Sequence, residues 1–125
     1  MKNIILFMAL FGFALGATAQ QSDAIKTLTV TAFKKAIKED KVQLVDVRTL
    51  EEFKEGAIEN ALNIDYFEIE KFKTEFGKLD KDKPIYLYCR SGSRSQKAAA
   101  RLETMGFKKI FDLKGGYMGW PERKQ

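Results

Sequence analysis

The sequence predicts an α/β domain built on a mainly parallel central sheet with helices on both faces. Three observations predict it. Short β-rich or apolar segments alternate with helical ones along the chain. Capping residues and glycines punctuate the joins between them. Strand–helix–strand units of this kind cross over right-handed, which distributes the helices to both sides of the sheet.

The elements follow in order. Leu28-Thr29-Val30 is β-rich, and Thr31 is placed to cap a helix over Ala32–Lys38 with Phe33 and Ile37 one turn apart. Val42–Val47 reads as a mostly apolar strand. Thr49 with Glu52 matches a capping box for a short helix ending near Gly56. Ala61–Ile64 is a short strand. Asp65 is placed to cap a helix through Leu79, with Phe67, Ile69, Phe72 and Phe76 as core candidates. Lys81–Pro84 is a turn, and Ile85–Tyr88 is the clearest strand. Ser95–Met105 reads as a helix with Ala98, Leu102 and Met105 on one face, and Gly106 stands where a left-handed C-terminal glycine belongs. Ile110–Leu113 is the last strand, and Gly115-Gly116 opens a final helical turn.

Not all 125 residues belong to that domain. Residues 1–19 join a basic Met-Lys-Asn start, an apolar or small run from Ile4 to Ala17, and an Ala17-Thr18-Ala19 site. That order predicts a cleavable secretory signal peptide. The run is short of the about 20 residues a spanning helix needs, and it lacks the polar face of a core helix. No lipidation cysteine follows it. A periplasmic or secreted protein without a membrane anchor after cleavage is expected. Residues 20–27 read as a mobile lead-in and 28–125 as one domain.

The net charge of +5 suits solubility and a mild attraction for small anions. Lysines and acids alternate along helical faces, and no basic run is interleaved with aromatics, so nucleic acid is not an expected partner. A monomer is the simplest expectation. The chain has one cysteine and no histidine. One cysteine forms no internal disulfide, and the thiol is either buried and inert or reactive. The lack of histidine removes Ser-His and Cys-His nucleophile pairs and His metal sites. No metal or cofactor is expected.

The chemistry centres on Cys89. It ends a strand and opens Cys89-Arg90-Ser91-Gly92-Ser93-Arg94-Ser95, after which a helix begins. Ligands in parallel α/β sheets bind beyond the carboxyl ends of strands. Gly92 permits a tight curl, which can aim backbone N–H groups inward as an anion nest. The helix N-terminus adds further N–H groups and its dipole. Such surroundings favour a thiolate without a histidine base, and would equally hold a persulfide anion. Arg90 and Arg94 are placed to bind the anionic part of a donor or leaving group such as sulfite. Cysteine phosphatases use a related nest, with five residues between cysteine and arginine. Here four separate Cys89 from Arg94, a tighter cradle that suits a sulfur atom better than a phosphate.

Three segments in order resemble the single-domain rhodanese family. The first is the loop from Cys89 to Ser95. The second is Leu44-Val45-Asp46-Val47-Arg48 with Glu51-Glu52-Phe53, Gly56-Ala57-Ile58 and Ala61–Ile64. The third is Leu113-Lys114-Gly115-Gly116 with Trp120. The resemblance spans about Thr29 to Trp120. It implies the rhodanese-like fold and a thiosulfate:cyanide sulfurtransferase or related persulfide transfer. Cys89 is then the nucleophile, and Arg90, Ser91, Gly92, Ser93, Arg94 and Ser95 form the persulfide cradle. Asp46 and Arg48 match the family's Asp-Val-Arg and read as polar groups supporting the loop rather than as catalysts. Two departures stand out: Ala57 replaces a frequent histidine, and the tail beyond Trp120-Pro121 is short.

The implied partners are a sulfane-sulfur donor resembling thiosulfate and a thiol or cyanide acceptor. A persulfide carrier that serves a partner protein, without turnover on small acceptors, is the competing expectation. A phosphatase or arsenate reductase is a third, which the spacing disfavours.

Overall fold

The computed structural model describes residues 22–39 and 41–124. The expected signal peptide and cleavage site lie outside them. Five strands form one parallel sheet in the order β1-β5-β4-β2-β3. In chain order the elements are β1 (Ile25–Leu28), α1 (Val30–Ala36), β2 (Gln43–Asp46), α2 (Leu50–Glu55) and β3 (Leu62–Asn63). There follow α3 (Ile69–Gly77), β4 (Ile85–Tyr88), α4 (Ser93–Thr104), β5 (Ile110–Leu113) and a 3-10 turn at Tyr117–Gly119.

Parallel strands alternate their side chains between two covered faces. One face carries Val45, Ile85, Leu87 and Ile110, packed against Phe72 and Phe76 of α3 and Ala98, Ala99 and Leu102 of α4. The other carries Leu44, Tyr88 and Leu113, packed against Phe33 of α1 and Tyr117 and Trp120 near the C-terminus. Helices thus cover both faces, as the sequence predicts. Strand β4 sits in the middle of the sheet, and its carboxyl end delivers Cys89.

Four local expectations change. The lead-in expected over 20–27 is cut short by β1, whose Ile25 pairs with Ile110. Ile25-Lys26-Thr27-Leu28 is a half-exposed edge strand, so it lacks the apolar run that marks β2 and β4. The first helix starts earlier, and Thr29 rather than Thr31 caps it by accepting from the Ala32 N–H at 3.2 Å. Asp65 does not cap α3; its carboxylate accepts from the Phe67 N–H at 2.8 Å in a turn ahead of the helix. Phe67 and Ile69 are consequently 62% and 54% exposed, and only Phe72 and Phe76 of that set reach the core. Helix α4 begins at Ser93, two residues before Ser95. The capping box of Thr49 and Glu52 forms as expected.

Candidate active site

Cys89 is 1% exposed at the end of β4. Its Sγ accepts a hydrogen bond from the Gly92 N–H at 3.0 Å. Gly92 has φ +113°, a conformation that side chains rarely adopt, and it is the N-cap of the 12-residue helix α4. One glycine therefore closes the curl, donates to the sulfur and starts the helix. Of the N–H groups expected to line the cradle, Gly92 is the one bonded to the bare sulfur. Ser91 and Ser93 are exposed, while Ser95 is buried and donates its hydroxyl to the Gly92 carbonyl at 3.2 Å.

The two loop arginines separate in role. Arg94 makes a two-pronged ion pair with Glu52 of α2, at 2.8 and 2.9 Å. The hydrogen bonds from Arg94, helped by the Thr49 N–H and opposed by partial burial, hold the Glu52 carboxyl down at about 2. Arg94 is raised in turn, chiefly by its bond to Glu52. Its charge is thus largely spent on α2 rather than offered to a ligand. Arg90 is exposed and makes no ion pair among the described residues. It borders a groove of about 370 Å³ whose lining is mixed in charge, with Arg48, Arg123 and Lys124 against Glu52 and Glu55.

Beneath the groove lies a second pair. Asp46 ends β2 and is fully buried; Arg48 follows two residues later. The Arg48 Nε lies 3.0 Å from both Asp46 oxygens and an Nη lies 2.6 Å from one. The same Nη also donates to the Gly56 carbonyl at 2.7 Å. The guanidinium stacks 4.5 Å from the Tyr117 ring centre and 5.6 Å from that of Tyr88. Burial works against the Arg48 charge, but the bonds and charge of Asp46 win and keep it raised. Burial, then the Asp46 charge, pushes the Tyr88 hydroxyl upward. Asp46 and Arg48 make no hydrogen bond to Cys89; they tie β2, the Gly56 turn and Tyr117 together.

Two contributors are not visible in the sequence. Glu52 was legible as a cap but not as the partner of Arg94, 42 residues away. The Gly115-Gly116 turn braces the back of the loop: the Tyr117 N–H donates to the Cys89 carbonyl at 2.8 Å and the Met118 N–H to the Arg90 carbonyl at 3.0 Å. Gly116 has φ +61°, and a Cβ there would lie 2.5 Å from the Arg90 carbonyl and 2.7 Å from that of Cys89. Asp112, an acid in β5, is also buried, and accepts from the Gln96 amide at 2.8 Å. Among the described residues, no group of three or more His, Cys, Asp or Glu side chains could hold a metal ion.

A cysteine at the end of the central strand, wrapped by a glycine loop at a helix N-terminus, defines a thiol-centred α/β domain. The family model for the rhodanese-like domain matches residues 29–123. The chain belongs to that family. It is 41% identical over 98 residues to the putative sulfurtransferase YtwF of Bacillus subtilis, covering 77% of this chain and 90% of that one. It is 33% identical over 84 residues to the thiosulfate sulfurtransferase GlpE of Coxiella burnetii, covering 67% and 76%. A solved rhodanese-like domain protein from Staphylococcus aureus superposes with a TM-score of 0.66 at 32% identity, covering 79% and 96%. The family and these relatives support a sulfurtransferase role.

Proposed function

We propose that the chain is an exported sulfurtransferase that carries sulfane sulfur as a persulfide on Cys89. The Cys89 thiolate attacks the outer sulfur of a donor such as thiosulfate. The new S–S bond forms as the donor's own S–S bond breaks, and sulfite leaves with the electron pair. A thiol or cyanide then attacks the outer sulfur of the persulfide, taking it as a persulfide or thiocyanate and returning the thiolate.

The observation that carries this reading is the Gly92 N–H directed onto Sγ at 3.0 Å, inside a loop that starts the helix α4. The exposed Arg90, without an ion pair among the described residues, supports an anionic donor. The spacing argues against a phosphatase, because Ser95 stands where the phosphate-clamping arginine would be. Export rests on the leader pattern of residues 1–19.

Intact-mass measurement of the purified protein, with and without thiosulfate, tests the reading. The expected result is a gain of one sulfur in the wild type, discharged by cyanide as thiocyanate, and no gain in Cys89→Ala. Absence of the gain with every sulfane donor tried would overturn it. Fast loading without turnover on cyanide or small thiols would favour the carrier. The same spectrum of protein made with its leader in an exporting host should show a chain beginning at Gln20. An intact leader in that sample would remove the export proposal.

A further inference from the structure

Glu52 is a carboxylate that the transfer chemistry leaves unused. It stands in the first turn of α2, where the Thr49 N–H and hydroxyl donate to its Oε1 at 3.0 and 3.1 Å. From there it meets Arg94 fork to fork. One Nη donates to Oε1 at 2.8 Å and the other to Oε2 at 2.9 Å. The Phe67 ring centre lies 5.6 Å from the same guanidinium. Both prongs of Arg94 are therefore engaged before any donor arrives.

The pair stands beside the path of a donor. Arg94 follows by two residues the Gly92 whose N–H is on the sulfur. Glu52 lines the same groove as Arg90. Arg123 and Lys124 add positive charge to that groove, and Glu55 opposes them. Neither side chain of the pair is sealed from solvent. Arg94 and the Thr49 N–H hold the Glu52 carboxyl down at about 2, so its charge is present throughout the neutral range. A cation paired with a carboxylate presents little net charge to a third ion. Coulomb energy scales with charge, so the loss weighs twice as heavily on a dianion as on a monoanion.

We propose that Glu52 is a specificity-determining residue. By occupying Arg94 it withholds one positive charge from the donor. It thereby tilts the site towards sulfane donors with a single negative charge, the organic thiosulfonates, and away from doubly charged thiosulfate. The bond changes are the same for both. The Cys89 thiolate bonds to the donor's outer sulfur, the donor's S–S bond breaks, and a sulfinate leaves with the electron pair in place of sulfite. The choice of donor rests on the sulfurtransferase reading, whereas the charge at the site does not.

The test follows persulfide loading of Cys89 by intact mass, with sodium thiosulfate and with sodium methanethiosulfonate, in wild type and three variants. Glu52→Gln frees Arg94 and should raise the thiosulfate-to-methanethiosulfonate ratio of loading rates by about tenfold. Arg94→Gln leaves the carboxylate alone and should lower that ratio. The Glu52→Gln/Arg94→Gln double variant removes both charges and should return the ratio to within about twofold of wild type. Added salt should shrink all these differences. Alkylation of Cys89 reads the same charge without sulfur transfer: the iodoacetate-to-iodoacetamide ratio should rise in Glu52→Gln and fall in Arg94→Gln. A Glu52 that only held the loop in shape would slow both donors alike. A ratio unchanged in Glu52→Gln for either pair of reagents, or a change that salt does not weaken, therefore overturns the proposal. If Arg94→Gln does not fold, Glu52→Gln and its salt series decide. A wild type that neither donor loads overturns the sulfurtransferase reading, and the choice of donor falls with it.

Discussion

Two arginine–carboxylate pairs flank the sulfur, and they differ in depth. Arg48–Asp46 lies in the interior, with 5% and 0% of the side chains exposed. Arg94–Glu52 lies at the rim, with 20% and 26% exposed. Both are two-pronged. A sealed pair has already lost its water, so each partner depends wholly on the other. A rim pair can trade its partner for solvent at small cost. The deep pair is therefore scaffold. The rim pair is a latch that joins the loop's arginine to the first turn of α2 and tolerates loss.

Breaking the deep pair should have the largest effect. Asp46→Ala leaves the Arg48 charge buried and unpaired and is expected to lower stability by about 3–5 kcal/mol. The measurement is the urea midpoint at constant m. The double variant Asp46→Ala/Arg48→Met should recover much of that loss, because no charge is then stranded; no recovery would deny the pair its scaffold role.

The brace between the pairs comes next. Gly116→Ala puts a Cβ against the Cys89 and Arg90 carbonyls at a left-handed φ. It is expected to cost about 1–3 kcal/mol and to slow persulfide loading at least tenfold. Unchanged loading would mean that the loop holds its shape unaided.

The rim pair should give the smallest effect, and a pH signature. Glu52→Gln should cost about 1 kcal/mol at neutral pH. The Glu52 carboxyl is held at about 2 against an ordinary value of 4.5. A lowered acid stabilises the fold above its ordinary value, and that contribution is lost as pH falls from about 4.5 towards 2. Thermal unfolding across that window should therefore be less steep in Glu52→Gln than in wild type. Identical slopes would show that the latch does not couple to folding.

Much of the site was written locally. The loop from Cys89 to Ser95 is contiguous, so strand, curl and helix start could be read together. Asp46 and Arg48 stand two residues apart and were legible as support. What the sequence hid is what the fold brings together from afar. Nothing local to Arg94 names Glu52 as its partner, so it read as a ligand for anions. Nothing local to Gly116 shows that the backbone of Cys89 and Arg90 presses on it. β1 was missed because an edge strand needs only half a hydrophobic pattern. Phe67 and Ile69 read as core because a turn closed by Asp65 resembles a helix cap in sequence. Asp112 did leave a signal: one acid inside an apolar strand.

The sheet order carries a consequence for the sulfur itself. β4 is bonded on both sides, by β2 and by β5, and it is the central strand of the five, so it has little freedom to breathe. The cysteine is presented from a rail held on both sides. The conformational entropy of holding it still was lost when the chain folded, and an arriving donor has little of that cost left to meet.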